Sequence, residues 1–266
     1  MSDTGVRGID LYIFDGKTWR FVGAGRPNPA SRENASDLVY SMDGSEKECM
    51  IYLSLYDGVD KLEIGIDEGA EISRTAINSP DSRKPVIVYG TSITQGGCVS
   101  RPGMCYTSIL SRELDREFIN LGFSGNGIID LEIAELMASC KDPGLFVLDY
   151  VGNAKAADIE ARGEKFFRIL RDAYPDVPIL FLGAKEYPYL SFNTSVPKTV
   201  AENDAAQKAL FDKLKKQGEK NIIYSPEFIM TGDACEYTVD GTHLTDLGAT
   251  EFCKFLLPYF KKSLRR

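Results

Sequence analysis

The stretch Val86-Ile87-Val88-Tyr89-Gly90-Thr91-Ser92-Ile93-Thr94-Gln95-Gly96-Gly97 decides how this chain is to be read. Four apolar residues in a row, ended by Gly90, suit a strand covered on both faces, as in a parallel sheet. Small residues follow at once, so Ser92 falls at the carboxyl end of that strand. Open α/β sheets gather their chemistry at those ends. Forward from here the same grammar recurs: short apolar runs at 118–121, 145–148, 179–182 and 222–224 alternate with segments of helical period. Tyr106-Ile109-Leu110-Leu114, Ile129-Ile133-Leu136-Cys140 and Phe166-Ile169-Leu170-Ala173-Tyr174 each repeat at spacings of three and four, giving one apolar stripe apiece. Strand, helix, strand succession requires right-handed crossovers and predicts a three-layer α/β/α sandwich on a five-stranded parallel sheet.

Backward from Val86 the period changes. Ile9-Leu11-Ile13, Ile51-Leu53-Leu55 and Leu62-Ile64-Ile66 alternate as half-buried strands do, which predicts a small all-β domain over residues 1–80. The polar stretch from Asn78 to Pro85, with two prolines, reads as the boundary before an α/β domain at 85–266.

At 266 residues and 43% hydrophobic content the chain can bury a sizeable core. Its net charge of -8, with no clustered basic surface, argues against nucleic acid as a partner. No apolar run approaches the ~20 residues that span a bilayer, so no membrane span is expected. The start, Met1-Ser2-Asp3-Thr4-Gly5, has neither a charged n-region nor an apolar h-region, and no signal peptide is expected. A trimmed form of an exported protein would begin the same way, which leaves localisation open. Six cysteines (Cys49, Cys98, Cys105, Cys140, Cys235, Cys253) form no CxxC pair or regular spacing. They read neither as a zinc site nor as a dense disulfide framework, and their redox state stays open. No cofactor or metal is expected, and oligomeric state is undetermined.

The chain has one histidine, His243, within Val239-Asp240-Gly241-Thr242-His243-Leu244-Thr245-Asp246. A lone histidine is more often structural, and Asp-x-x-His alone is a weak pattern. Here Asp240 is close enough across a Gly-containing loop to hold the imidazole in one tautomer. Thr245 is placed to cap a final helix from about Asp246 to Phe260. A serine hydroxyl is a poor nucleophile without a base within about 3 Å. If that base is an imidazole, it can only be His243. The plain alternative for Ser92 is a cap or turn. The G-x-S-x-G elbow is absent because Thr94 stands at its second glycine, and a phosphate loop fails because no Lys follows the glycines. Two further strand ends, Asn120 to Gly127 and Leu145 to Asn153, bring exposed glycine N–H groups and an amide side chain. Neutral donors of this kind can stabilise a developing oxyanion by roughly 3–4 kcal/mol each.

These blocks together resemble those of the SGNH (GDSL-like) hydrolase family, over about residue 85 to the end. The resemblance implies a flavodoxin-like sandwich with Ser92 as nucleophile and first oxyanion donor. It assigns a second donor to Gly125, a third to Asn153, and the orienting acid and base to Asp240 and His243. Thr91, Val151 and Ala154 stand where the family usually has aspartate, glycine and aspartate. The layout is similar to a bacterial esterase branch with a jelly-roll-like domain ahead of the catalytic one. That implies a periplasmic or secreted carbohydrate acetylesterase acting on a small-molecule or oligosaccharide ester. Loops such as Lys185 to Pro197 are expected to wall the pocket. Two other readings stay open. One is a glycan-binding relic using Tyr12, Phe14, Trp19, Tyr52 and Tyr56; the other is a glycosidase with paired carboxylates, for which no spacing singles out a pair.

Overall fold

The computed structural model of the protein describes residues 1–75, 83–187, 192–193, 196–230 and 236–264. A short helix α1 (Asp3–Arg7) leads into strands β1 (Asp10–Phe14), β2 (Trp19–Ala24) and β3 (Cys49–Tyr52). The α/β part runs β4 (Val86–Gly90), α2 (Ser92–Gln95), α3 (Tyr106–Leu114), β5 (Phe118–Gly122), α4 (Leu131–Ser139), β6 (Leu145–Asp149) and α5 (Ala156–Ala173). It continues through β7 (Ile179–Leu182), β8 (Lys185–Glu186), α6 (Val196–Lys216), β9 (Ile222–Ser225), β10 (Phe228–Ile229) and α7 (Asp246–Leu264).

The main sheet has five parallel strands in the order β5-β4-β6-β7-β9. Its continuous apolar runs serve two faces at once, because successive side chains in a strand point to opposite sides. Val86, Val88, Leu145 and Val147 pack on one side with Tyr106, Leu110, Phe252, Leu256 and Phe260 of α3 and α7. Ile87, Tyr89, Phe146 and Leu148 pack on the other with Met137, Phe166, Phe167, Leu170 and Leu214 of α4, α5 and α6. Each such side chain contributes roughly 1.5–3 kcal/mol when fully buried, so both faces are strongly specified. The predicted five-stranded three-layer sandwich is therefore the observed one.

Strand register positions the functional ends. Gly90 pairs with Gly122 of β5 on one side and with Asp149 of β6 on the other. The chain leaves β4 toward β5 and then returns to the opposite side for β6, which makes β4 the switch point where ligands bind in open sheets.

The N-terminal sheet has three antiparallel strands in the order β2-β1-β3. It is smaller than the alternation suggested. Leu62, Ile64 and Ile66, expected in a strand, lie in irregular chain with their side chains exposed, and β3 ends at Tyr52, before Leu53 and Leu55. Alternation marks a strand only where a partner offers the ladder its hydrogen bonds, and among the described residues none pairs with 61–67. The α4 stripe also differs from expectation. Ala134 and Met137 are its buried positions, whereas Leu136 is exposed and Ile129 precedes the helix with a left-handed backbone. Within the expected loop Lys185 to Pro197, Lys185 and Glu186 form β8 beside β10 and Val196 starts α6, a helix of 21 residues; residues 188–191 and 194–195 lie outside the described set. Residues 76–82, which include 78–82 of the expected boundary stretch, and Cys235 also lie outside it. The other five cysteines are free thiols.

A polar and aromatic seam joins the small sheet to the α/β part. Asp10, fully buried in central strand β1, accepts hydrogen bonds from the Gly103 N–H (2.6 Å) and Arg101 Nη1 (2.9 Å). Arg101 also donates to Tyr12 Oη at 2.7 Å, and its guanidinium lies 3.7 Å from the centre of the Phe21 ring. Burial pushes the Asp10 carboxyl up, while Gly103 and Arg101 pull it down. Tyr12 packs edge-on against Phe21 and Tyr52, and Tyr52 donates to the Ser108 carbonyl. These aromatics form the seam itself, as aromatic side chains with a polar tip do at interfaces.

Candidate active site

The turn that carries Ser92 is built by its neighbours. Thr91 is the N-cap of α2, its hydroxyl accepting from the Ile93 N–H, and Thr94 completes a capping box by accepting from the Thr91 N–H. Ser92 thus occupies the first helical position, not the cap that the plain reading allowed. Close approach depends on two glycines. A Cβ on Gly90 would lie 2.1 Å from Thr94 Oγ1, and one on Gly122 would lie 2.1 Å from the Gln95 backbone nitrogen. Glycine at both strand ends lets α2 sit directly on the sheet edge.

Below this turn is a buried network that the sequence reading did not single out. Asp149 Oδ2 accepts from Thr94 Oγ1 at 2.8 Å and from Tyr106 Oη at 3.0 Å. Its Oδ1 meets Lys185 Nζ at 2.7 Å. Burial, and then the Asp149 charge, hold the Tyr106 hydroxyl well above its ordinary range, so it stays a donor. The available signal was a carboxylate closing an otherwise apolar strand, Leu145-Phe146-Val147-Leu148-Asp149. Its partner lies 36 residues away and cannot be found by spacing.

His243 reaches Ser92 from a loop closed by a bridge between Thr238 and Leu244, with the Val239 N–H donating to the His243 carbonyl at 2.8 Å. Thr245 caps α7, accepting from the Gly248 N–H at 3.0 Å, as expected. His243 Nε2 lies 2.8 Å from Ser92 Oγ, and His243 Nδ1 lies 2.7 Å from Asp240 Oδ2. The remaining Asp240 oxygen accepts from the Thr242 and His243 N–H groups at 3.0 and 2.8 Å. Partial burial pushes Asp240 up, but these bonds and the ring beside it outweigh that and hold it at about 2. An ionised Asp240 accepts a hydrogen bond from Nδ1–H and so keeps the proton on that nitrogen, which leaves Nε2 as the acceptor facing the serine hydroxyl. Ser92 is 8% exposed, whereas the side chains of His243 and Asp240 are 27% and 47% exposed. The serine hydroxyl is sheltered and the imidazole opens to solvent.

The other two expected residues lie at the neighbouring strand ends. Gly125 follows β5 in an exposed turn with a left-handed backbone (φ 72°), and no atom would meet a Cβ there. Asn153 follows β6, and its Oδ1 accepts from the Gly127 N–H at 3.4 Å. With that oxygen engaged, Nδ2 is the end left to donate. Among the described residues Gly125 shows no hydrogen bond with the side chains of Ser92, Asn153, Asp240 or His243. The N-terminal part also reaches this region. Gln95 Nε2 donates to the Leu55 carbonyl at 3.3 Å, and a Cβ on Gly97 would lie 3.0 Å from both Tyr56 Oη and His243 Cδ2. Cys98 stands beside the relay: its Sγ and a ligand atom each of Asp240 and His243 lie within 4.8 Å of one another.

Comparison with known proteins places the chain in a family. The sequence pattern of the GDSL-like lipase/acylhydrolase family matches residues 83–261, and that of the N-terminus of SGNH-hydrolase-type esterases matches residues 1–72. A Bacteroides ovatus protein described as a GDSL-like lipase is 36% identical, superposes with a TM-score of 0.92, and matches over 99% of this chain and 77% of its own. A salicylyl-acyltransferase from a tetracycline biosynthetic pathway shares the fold at 17% identity (TM-score 0.68, 94% of this chain and 73% of that one). A family two carbohydrate esterase from Clostridium thermocellum, solved with cellohexaose, shares it at 13% identity (TM-score 0.65, 98% and 87%). No curated protein matches. Among the described residues no helix is long and apolar enough to cross a membrane. With its family pattern over most of the chain and a close structural relative along nearly all of it, the protein belongs to the GDSL-like (SGNH) lipase/acylhydrolase family.

Proposed function

We propose that this protein is a serine esterase that removes small acyl groups, O-acetyl esters of carbohydrate foremost, through an acyl-Ser92 intermediate. The observation that carries the reading is the relay from Ser92 Oγ to His243 Nε2 at 2.8 Å and from Nδ1 to Asp240 at 2.7 Å. As Ser92 Oγ attacks the ester carbonyl carbon, its proton passes to Nε2, and the imidazolium is steadied by ionised Asp240. The carbonyl oxygen becomes an oxyanion held by the N–H groups of Ser92 and Gly125 and by Asn153 Nδ2, donors worth roughly 3–4 kcal/mol each in such sites. Collapse breaks the bond to the alcohol oxygen, which leaves with the proton from Nε2. Water then gives a proton to Nε2 and attacks the acyl carbon; the carboxylic acid departs and Ser92 regains its hydrogen.

Carbohydrate is favoured as the alcohol because the fold is shared with a carbohydrate esterase that was solved with a cello-oligosaccharide. The partly exposed base suits an alcohol that remains largely in solvent while only a small acyl group enters. Ser92→Ala is expected to lower turnover of a chromogenic acetyl ester by about 10⁶-fold, the loss typical of a triad member; a variant with wild-type rate overturns the mechanism. Ranked rates on acetylated oligosaccharides and on esters of increasing chain length test the substrate class. Preference for long acyl chains would overturn the acetyl reading.

A further inference from the structure

We propose that Cys98, Asp240 and His243 also form a binding site for a borderline-soft divalent cation, Zn²⁺ foremost, and that its occupation arrests the esterase. The arrest rests on the reading of His243 as the base. The three residues offer a thiol sulfur, a carboxylate oxygen and an imidazole nitrogen, all within 4.8 Å of one another. Among the described residues this is the one such grouping of three or more metal-ligating side chains. Its donor set suits zinc, and it does not suit magnesium or calcium, which require mostly oxygen ligands.

Cysteine spacing could not reveal the site, because its donors come from two segments far apart in the chain. After α2 the backbone turns at Gly96 (φ 102°) and again at Cys98 (φ 70°), a left-handed conformation uncommon outside glycine. Gly97 between them lies against the His243 ring and the Ser92 carbonyl, so that a Cβ there would meet each at 3.0 Å. This close passage delivers Cys98 to the imidazole. Its thiol is free and half-buried, and the proposed hydrolysis does not use it.

Zinc bonds of about 2.0–2.3 Å to nitrogen, oxygen and sulfur place tetrahedral ligand atoms roughly 3.3–3.8 Å apart. The ligand atoms, within 4.8 Å of one another, therefore stand no more than roughly 1–1.5 Å beyond that spacing. Solvent reaches it through the exposed sides of His243 and Asp240, and water can complete the shell. A nitrogen bound to zinc no longer offers the lone pair, or the orientation by Asp240, that accepting the serine proton requires.

The test is zinc titration of the chelator-treated protein, read in parallel by competition with a chromophoric chelator and by acetyl-ester hydrolysis. One ion per chain is expected, with inhibition following occupancy, recovery on adding EDTA and no response to Mg²⁺. Cys98→Ser is expected to weaken zinc binding at least ~10-fold, since even an outer-shell partner is worth that much, and to shift the inhibition curve equally. Circular dichroism establishes that the variant is folded. Ser92→Ala is expected to bind zinc like the wild type, so binding is tested even if the esterase reading fails. Absence of stoichiometric binding, or Cys98→Ser binding as tightly as wild type, overturns the site. Full occupancy without loss of hydrolysis overturns the arrest.

Discussion

Lys185 Nζ lies 2.7 Å from Asp149 Oδ1 with both side chains almost sealed from water, at 4% and 2% exposure, and the other oxygen of Asp149 is bound by Thr94, two residues beyond Ser92. The pair therefore ties β6 and β8 to the turn that carries Ser92. Removing one member of a buried pair leaves an uncompensated charge, at a cost of about 3–5 kcal/mol. Lys185→Met is expected to lower Tm by roughly 6–20 °C, at about 2–4 °C per kcal/mol for a chain of this size. Calorimetry checks this. The double variant Lys185→Met/Asp149→Leu is expected to recover part of the loss, because it removes both charges.

Asp240→Asn keeps the size of the side chain but removes the charge that holds the Nδ1 proton. The amide can present its N–H to Nδ1 and so stabilise the wrong tautomer, with Nε2 protonated toward Ser92. A fall in kcat of about 10⁴-fold is expected, as for the equivalent change in a serine protease triad. Steady-state kinetics with a soluble acetyl ester measure it, and a loss below tenfold would remove Asp240 from the relay.

Asp240, held at about 2, sits below the ordinary aspartate value of about 3.9. A depressed acid stabilises the folded state above its unfolded value, and that contribution is lost as pH falls through the folded value. The stabilisation of the 240–243 loop should therefore be complete above about pH 4 and disappear toward pH 2. The chain has a single histidine, so one imidazole proton resonance reports on it. Its shift should show a step near pH 2 that is missing in Asp240→Asn.

Two glycines near the site should respond to alanine in different ways. At Gly122 the new Cβ would meet the Gln95 backbone nitrogen at 2.1 Å, so α2 must move, at an overpacking cost of about 1–3 kcal/mol. At Gly125 the surroundings are open and only the left-handed backbone is penalised, by about 1–2 kcal/mol. Both variants keep their backbone N–H. Gly122→Ala should therefore lose most of its activity while folded, and Gly125→Ala should lose chiefly stability. Paired kcat and Tm measurements distinguish them; the reverse pattern would show that α2 is not held by this contact.

The α/β layers were legible because a strand buried on both faces must be apolar throughout. Val86 to Tyr89 and Leu145 to Leu148 leave little room for another reading. The meeting of Ser92 with His243 was legible for a different reason: the chain offers one imidazole, and the small residues around Ser92 mark a strand end. What escaped depended on partners far away in the chain. Asp149 and Lys185 are each unremarkable until folding seals them together, and Thr94 registered only as a missing glycine although it closes the capping box. The alternation of Leu62, Ile64 and Ile66 misled because period alone does not supply a neighbouring strand. Leu136 misled because a short helix can rotate its stripe by one position, to Ala134 and Met137, at little cost.

Gly90, Gly122 and Asp149 stand abreast across three strands, and the chain departs from those points to Ser92, Gly125 and Asn153. Sliding β5 by a single residue would carry its segment about 3.3 Å along the strand and invert which side chains face each helix layer. Catalytic competence is thus a vernier for strand alignment. During refolding, hydrolysis should return only with molecules in which all three strands have locked at this rung, however much helix has already formed.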